Sequence, residues 1–131
     1  MLDIRVVLVE PEQEGNIGSI ARLMKNFDMN ELWLVNPKVQ IMREAWALAS
    51  HAQNILAKAS IVEFLDEALR GVSYVVGTTS ILAKRSSNIM RTAITPQEFA
   101  YTVSTIKDTV ALFFLVGRAG GFQIKNLLGA I

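Results

Sequence analysis

The sequence predicts an α/β fold with a parallel sheet and helices on both faces. Short runs rich in β-branched residues alternate with segments of helical periodicity, which is the pattern of parallel strands joined by crossover helices. These runs are apolar almost throughout, as expected for strands that are buried on both faces. The 131 residues, 51% of them hydrophobic, suffice to bury a core without disulfides or metal. Because no repeat or linker divides the chain, we predict a single domain over residues 1–131.

Four strands are predicted from these apolar runs. Glu10 and Pro11 stop the first run, and Asn36 and Pro37 stop the second, since a proline cannot donate a hydrogen bond to a sheet. The predicted strands are residues 4–9, 31–35, 73–77 and 109–116.

Helices are predicted where apolar residues recur at steps of three and four. Gly71 is expected to close the third helix. Thr95 and Glu98 have the spacing of a capping box, with Pro96 at the first position of a fourth helix that continues to Ile106. The apolar faces predicted for the first three helices are Ile17, Ile20, Ala21, Met24 and Phe27, then Met42, Ala45, Trp46, Ala49, Ala52, Ile55 and Leu56, then Val62, Leu65, Ala68 and Leu69.

The charge balance and the absence of cysteine exclude several classes of protein. A formal net charge of +1 gives no overall attraction to nucleic acid, so an RNA contact must come from a local basic patch. Without cysteine there is no zinc ribbon or thiol nucleophile, and we expect no metal. The apolar run 110–116 is too short to span a bilayer, and Asp3 and Arg5 argue against a signal peptide. We therefore expect a cytoplasmic protein without membrane contact.

The loop after the first strand is the candidate site, because ligands of parallel sheets bind beyond the carboxyl ends of the strands. We expect the Asn16 side chain to cap the following helix and Gly18 to permit close approach of another backbone. Arg22 lies about one and a half turns further on, away from the apolar stripe, where its guanidinium could reach back over the loop to a phosphate or a developing alkoxide. Spacing alone leaves open an ordinary cap with a solvated arginine. Three acidic residues before the helix also oppose a simple phosphate cradle.

Six segments, in order over residues 4–114, carry a further signal. They are residues 5–11 (RVVLVEP), 15–22 (GNIGSIAR), 23–27 (LMKNF), 31–37 (ELWLVNP), 75–80 (VVGTTS) and the helix start at residues 95–98 (TPQE). Together they resemble the SpoU/TrmJ-type branch of the SPOUT RNA methyltransferases.

The resemblance implies the Rossmann-like N-terminal part of a SPOUT methyltransferase. It also implies S-adenosylmethionine as the methyl donor, a ribose 2′-oxygen of tRNA or rRNA as the acceptor, and a homodimer or higher self-association. The TrmJ type acts on the anticodon loop of tRNA. Carried over by position, Asn16 and Arg22 match the first motif of the family, in which the arginine positions or activates the 2′-hydroxyl.

Further site residues follow from the resemblance in the segment after the third strand. Lys84 and Arg85 fall where the family contacts RNA, and Arg91 belongs to the same basic and polar loop. Thr78 and Thr79 are the candidate contacts to the methyl donor. A solvated surface loop remains the alternative for the basic segment.

The chain departs from the family pattern after Phe114. The family continues with Phe-Gly-Arg-Glu-x-x-Gly-Leu-(Ser/Thr)-Asn-x-Glu-Leu and then with a trefoil knot that holds the methyl donor and most of the dimer interface. Residues 115–131 lack this motif, but synonymous codons permit it when each codon is read from its third base. We hypothesise that residues 1–114 are the family-like part and that residues 115–131 are a frameshifted tail.

Two functional readings follow from this departure. We expect the knot to be absent and the chain to be inactive by itself, because the donor-binding half of the pattern is missing. The alternative is a non-catalytic RNA- or protein-binding remnant that folds as an oligomer. His51 is a conceivable base, but its apolar neighbours indicate that it flanks a buried helix face.

Overall fold

A computed structural model describes residues 3–77, residue 101 and residues 110–115, and the structural statements below refer to these. This part of the chain contains strands and helices in alternation. The strands are β1 (Ile4–Val9), β2 (Glu31–Val35), β3 (Ser60–Val62), β4 (Tyr74–Gly77) and β5 (Val110–Leu115), and the helices are α1 (Glu14–Asn26), α2 (Arg43–Ala49), α3 (Gln53–Ala57) and α4 (Leu65–Ala68). A 3₁₀ helix, Ser50–Ala52, connects α2 to α3.

The described strands form one parallel sheet in the order β3-β2-β1-β5-β4. In the central strand, Val6 lies opposite Leu32 of β2 on one side and Leu112 of β5 on the other. Helices pack on both faces, so the predicted α/β fold is confirmed. The first two strands have the predicted bounds, and β4 and β5 each lie within the predicted range.

Alternate residues of β1 build two cores on opposite faces of the sheet. Val6 and Leu8 are buried against the layer formed by α1, α2 and α3. Val7 and Val9 are buried on the other face, where Leu65 of α4 packs. A strand buried on both faces gains hydrophobic stabilisation from every residue, which explains why the run is apolar throughout.

The apolar face predicted for α1 is correct except at its end. Ile17, Ala21 and Met24 are buried, but Phe27 is 65% exposed. The helix ends at Asn26, and Asp28 adopts a left-handed conformation with φ 57°. The chain therefore leaves the helical path before Phe27 can reach the core.

The single helix predicted from Met42 to Leu56 is interrupted. Ser50 has φ 54° and begins the 3₁₀ helix, after which α3 starts at Gln53. Met42 is 60% exposed because it precedes the first turn of α2. The other predicted apolar positions are buried or partly buried. The irregular residue Ser50 breaks the helix, but the same side chains still face the sheet before and after the break. The buried members are Ala45, Ala49, Ala52, Ile55 and Leu56.

The prediction for the next segment was wrong at its start. Val62 belongs to strand β3 instead of a helix, and the helix extends only over Leu65–Ala68. The steps from Val62 to Leu65 and Ala68 imitate helical spacing, and a three-residue edge strand is too short to show an alternation of its own. Gly71 follows with φ 80°, in the left-handed conformation expected of a closing glycine.

The fourth predicted helix, residues 96–106, lies outside the described residues apart from Tyr101, which is helical and exposed. None of the described helices is long and apolar enough to cross a membrane. The described residues also bring together no three His, Asp or Glu side chains that could hold a metal ion.

Candidate functional site

The ends of β1 and β2 lie side by side at the carboxyl edge of the sheet. Glu10 and Asn36 follow the two strands directly, and both are left-handed, with φ 50° and 45°. The backbone N–H of Glu10 donates to Val35 O at 2.8 Å, and that of Asn36 donates to Val62 O at 2.7 Å. These bonds satisfy the backbone while the left-handed residues turn both chains away from the sheet.

Side chains connect the two loops that begin at these strand ends. The Asn36 Nδ2 group donates to Glu10 Oε1 at 3.0 Å, and Lys38 Nζ lies 3.4 Å from the same oxygen. The backbone N–H of Lys38 donates to Pro11 O at 2.9 Å. The loop before α1 is therefore bound to the loop before α2 by both side-chain and backbone groups.

Glu14, the first residue of α1, caps the start of α2. Its carboxylate accepts hydrogen bonds from the backbone N–H groups of Met42, at 2.6 Å, and of Glu44, at 3.2 Å. Met42 occupies the N-cap position of α2 and provides no side-chain cap itself. A negative carboxylate at the positive end of a helix dipole supplies the missing acceptor. The sequence alone gave no reason to connect Glu14 with α2.

Gly18 allows α1 to lie directly against α2, as predicted. A Cβ atom at this position would overlap the carbonyl oxygen of Ala45 and lie 2.9 Å from its carbonyl carbon. At Gly15 the nearest atom would be Glu44 Oε1, at 2.8 Å, which belongs to a flexible side chain. The backbones of the two helices therefore meet most closely at Gly18.

Asn16 does not cap α1, so that prediction was wrong. The helix begins at Glu14 with Gln13 at the N-cap position, and no side chain caps it. Asn16 is the third helical residue, and its backbone N–H donates to Gln13 O at 3.2 Å. An acidic residue is favourable in a first turn, which lets the helix start three residues earlier than expected. The Asn16 side chain is exposed and makes no hydrogen bond with the described residues.

Arg22 lies further along α1 than predicted. Eight residues separate it from Glu14, so its Cα is more than two turns, roughly 12 Å, from the helix start. Its side chain is exposed and forms no hydrogen bond or ion pair with the described residues. Arg22 follows Gly18 by four residues and is therefore on the side of α1 that faces α2. The guanidinium is thus available to an external anion that lies beside the helix. It forms no hydrogen bond with the described residues of the loop before α1.

Arg5, in contrast to Arg22, has several bonding partners within the chain. Its Nε donates to Glu31 Oε1 at 2.9 Å, and its Nη1 donates to the carbonyl oxygens of Ala68 and Arg70 at 2.8 and 2.9 Å. The guanidinium also lies 4.8 Å from the ring centroid of Trp33. This arginine joins the sheet to the end of α4. The sequence signal for its role was a charged residue inside an otherwise apolar strand, because such a charge needs a bonding partner.

The remaining predicted site residues are outside the described residues. These are the candidate RNA contacts and the candidate methyl-donor contacts, and their roles stay predictions. They are Lys84, Arg85, Arg91, Thr78 and Thr79.

Comparison with known proteins decides the family. A family model described as the SpoU rRNA Methylase family matches residues 3–117. The chain belongs to this family. The match includes β1, the whole of α1 and every other described element, and it confirms the resemblance read from the six sequence segments.

Similar proteins of this family carry a more specific name. The tRNA (cytidine/uridine-2′-O-)-methyltransferase TrmJ of Salmonella typhimurium is 43% identical over 120 residues, covering 90% of this chain and 48% of that protein. The protein of the same name from Cronobacter sakazakii is 53% identical over 78 residues, covering 60% of this chain and 32% of that protein. The chain spans about half the length of the curated relatives it matches.

Solved structures show the same fold. A "probable methylase family protein" from Haemophilus influenzae Rd KW20 has a TM-score of 0.82 at 38% identity, covering 97% of this chain and 51% of that one. TrmJ from Z. mobilis ZM4 has a TM-score of 0.81 at 29% identity, covering 92% of this chain and 53% of that one. The SpoU-family chain therefore has the SPOUT methylase fold over its described elements.

Proposed function

We propose that this chain provides the RNA-facing part of a tRNA ribose 2′-O-methyltransferase. The observation that carries the proposal is Arg22, an exposed arginine without a partner among the described residues, at the motif position where the family resemblance expects it. The names of the TrmJ relatives support tRNA as the substrate and a cytidine or uridine ribose as the acceptor.

Arg22 would act on the acceptor oxygen. A ribose 2′-hydroxyl is a weak nucleophile, and holding it in line with the transferred methyl group supplies much of the acceleration. The guanidinium donates hydrogen bonds to the oxygen and stabilises the negative charge that develops as its proton leaves. An arginine suits this role because it stays charged while donating in a fixed planar geometry.

Asn16 would contact a different group of the substrate. Six residues separate it from Arg22, which corresponds to roughly 9 Å along α1 and about 120° around it. The two side chains therefore do not converge on one oxygen. We propose that the Asn16 amide hydrogen-bonds a neighbouring ribose or phosphate oxygen and so helps to set the position of the nucleotide.

The proposed methyl donor is S-adenosylmethionine, which supplies a methyl group on a positively charged sulfur. The polar groups at the ends of β1 and β2 do not fit this role, because Glu10, Asn36 and Lys38 are bonded to one another. Thr78 and Thr79 remain the proposed donor contacts of this chain. We propose that residues 1–131 by themselves bind no S-adenosylmethionine, and saturable heat in a calorimetric titration would contradict this.

The proposal is tested by a chimera in which residues 3–114 replace the matching segment of the Salmonella typhimurium TrmJ. The chimera is incubated with S-adenosylmethionine and an unmodified tRNA transcript, and the digested nucleosides are analysed by mass spectrometry. We expect a 2′-O-methylated cytidine or uridine. A folded chimera that binds the tRNA but produces no methylated ribose would favour the alternative, a non-catalytic RNA-binding segment.

A further inference from the structure

Beyond Glu14 and Glu44, at the starts of α1 and α2, the outer layer of helices carries positive charge only. Residues 15–26 and 45–58, which make up most of α1, α2 and α3, contain no Asp or Glu, although 12 of the 131 residues are acidic. The same two segments contain Arg22, Lys25 and Lys58. A local basic surface is therefore present even though the chain as a whole is nearly neutral.

The two segments lie side by side. The backbones of α1 and α2 meet at Gly18 and Ala45, and α1 also contacts the 3₁₀ helix and α3. Arg22 and Lys25 follow Gly18 by four and seven residues, so they continue the row of α1 that faces α2 and α3. Lys58 follows α3 directly, and α3 contacts α1, so the three cations lie on neighbouring elements of one helical layer. We call residues 15–26 and 45–58 the basic helical face.

The cations of this face have no partner in the part of the chain that the structure describes. Arg22, Lys25 and Lys58 are exposed, and none forms a hydrogen bond through its side chain or an ion pair with the described residues. Arg5 and Lys38, by contrast, are paired with Glu31 and Glu10. Exposed polar side chains that can form hydrogen bonds accompany the cations, and these are Ser19, Asn26, Ser50, His51, Gln53 and Asn54.

Acidic residues lie where this layer begins. Glu10, Glu12 and Glu14 precede or start α1, and Glu44 is the second residue of α2. These carboxylates repel phosphate at the carboxyl edge of the sheet, where a ligand of a parallel sheet would first be sought. The part of the helices beyond these carboxylates, where Arg22 lies, is therefore more favourable to phosphate than the loops at this edge.

We propose that the basic helical face binds the sugar-phosphate backbone of the RNA, with Lys25 and Lys58 as phosphate contacts on either side of the α1–α3 boundary. The inference rests on the proposed function, because it brings the target ribose to Arg22 on the same face. The occupant is a polyanion of regularly spaced phosphates, which matches separate exposed cations among neutral donors.

The test is the binding of an unmodified tRNA transcript to the 131-residue chain over a salt series, without methyl donor. For Lys25→Ala/Lys58→Ala we expect affinity to fall roughly 15- to 30-fold at 0.15 M salt, and the slope of log K against log salt to decrease by about 1.5. Both side chains are exposed, so unchanged circular dichroism is expected to show that the variant folds.

The matched control is Lys38→Ala/Arg70→Ala, which removes the same charge from exposed positions outside the face. Its affinity for tRNA is expected to stay within about twofold of the original chain. Equal losses in both double variants, or no loss in the first, would overturn the proposal. Polyglutamate binding as tight as tRNA binding at the same salt would assign the face to an acidic protein instead.

The outcomes also separate this inference from the proposed function. If the lysine variant binds tRNA more weakly and the chimera is inactive, the RNA-binding face is supported and the enzymatic role is contradicted. If the chimera is active and the two lysine substitutions leave its tRNA affinity unchanged, the proposed methyltransferase function is supported and the proposed RNA-binding face is contradicted.

Discussion

At the scale of residues, Arg5 and Arg22 show how surroundings separate a structural arginine from a candidate functional one. The guanidinium of Arg5 bonds one carboxylate and two backbone carbonyls and lies over an indole ring. That of Arg22 is exposed and unbonded among the described residues. Both were visible in the sequence, but only the structure shows which of them is already occupied.

The first prediction concerns this difference. Arg5→Lys keeps the charge but cannot reproduce the planar set of donors to Glu31, Ala68 and Arg70, so the free energy of unfolding should fall by about 2 kcal/mol. Urea unfolding followed by circular dichroism measures the change. Arg22→Lys is the control and should alter stability by less than about 0.5 kcal/mol. Equal losses in both variants would show that Arg22 has a structural partner after all.

The prediction that Asn16 caps α1 failed because the start of the helix depends on residues distant in the sequence. An asparagine beside a glycine after a strand has the composition of a helix cap, and the family motif gave it a second role. The helix nevertheless begins at Glu14, because Glu14 also satisfies backbone groups of α2. That compensation comes from residues 28 and 30 positions away in the chain, which no local pattern reveals.

At the scale of elements, the contact between α1 and α2 fixes the helix that carries Arg22. Gly18 brings the two backbones together, and the carboxylate of Glu14 closes the N-terminal end of the pair. The loop before α1 is also bonded to the loop before α2 through Glu10. These contacts explain how a helix with an exposed outer side can keep a defined position.

The second prediction tests the cap between the two helices. Glu14→Ala leaves the N–H groups of Met42 and Glu44 without their acceptor and should lower the free energy of unfolding by about 1 kcal/mol. Glu12→Ala removes the same charge from an exposed neighbour that has no hydrogen bond with the described residues, so it should be nearly neutral. Denaturant midpoints compare the variants. A Glu12 effect as large as that of Glu14 would attribute the loss to net charge and contradict the cap.

Long and regular elements were predicted more accurately from the sequence than short or irregular ones. The strands Ile4–Val9 and Glu31–Val35 were predicted with their true bounds, because long apolar runs ending at proline leave little choice. Strand β3 was missed, and the break at Ser50 could not be seen, since buried alanines keep their spacing across it. Gly18 was interpreted correctly, but its partner Ala45 became known only from the packing.

At the scale of the whole molecule, charge is distributed unevenly between one end of the helical layer and its outer side. Carboxylates cluster where α1 and α2 begin, whereas Arg22 and Lys25, which have no partner among the described residues, lie further along α1. The absence of acidic residues from 15–26 and 45–58 can be read in the sequence, but its meaning depends on these two segments being neighbours. A net charge of +1 is therefore compatible with the local basic surface that we propose binds RNA.

The third prediction concerns self-association, which the family resemblance implies. Leu23 is 50% exposed and Phe27 is 65% exposed, four residues apart on a side of α1 distinct from Arg22 and Lys25. An exposed apolar pair of this kind favours an interface, so we expect a dimer or a larger oligomer in light scattering after size exclusion. Leu23→Ser/Phe27→Ser should shift the distribution towards the monomer. An unchanged oligomer would place the interface elsewhere.

The fourth prediction tests whether Arg22 stabilises the acceptor oxygen of a tRNA ribose. In the chimera carrying residues 3–114, Arg22→Ala should lower kcat at least about 100-fold, because a donor to a developing oxyanion is lost. The KM for tRNA should change by much less, since other cations of the basic helical face remain. The rate of methyl transfer to unmodified tRNA measures both constants. An unchanged kcat in the Arg22→Ala chimera would contradict the account.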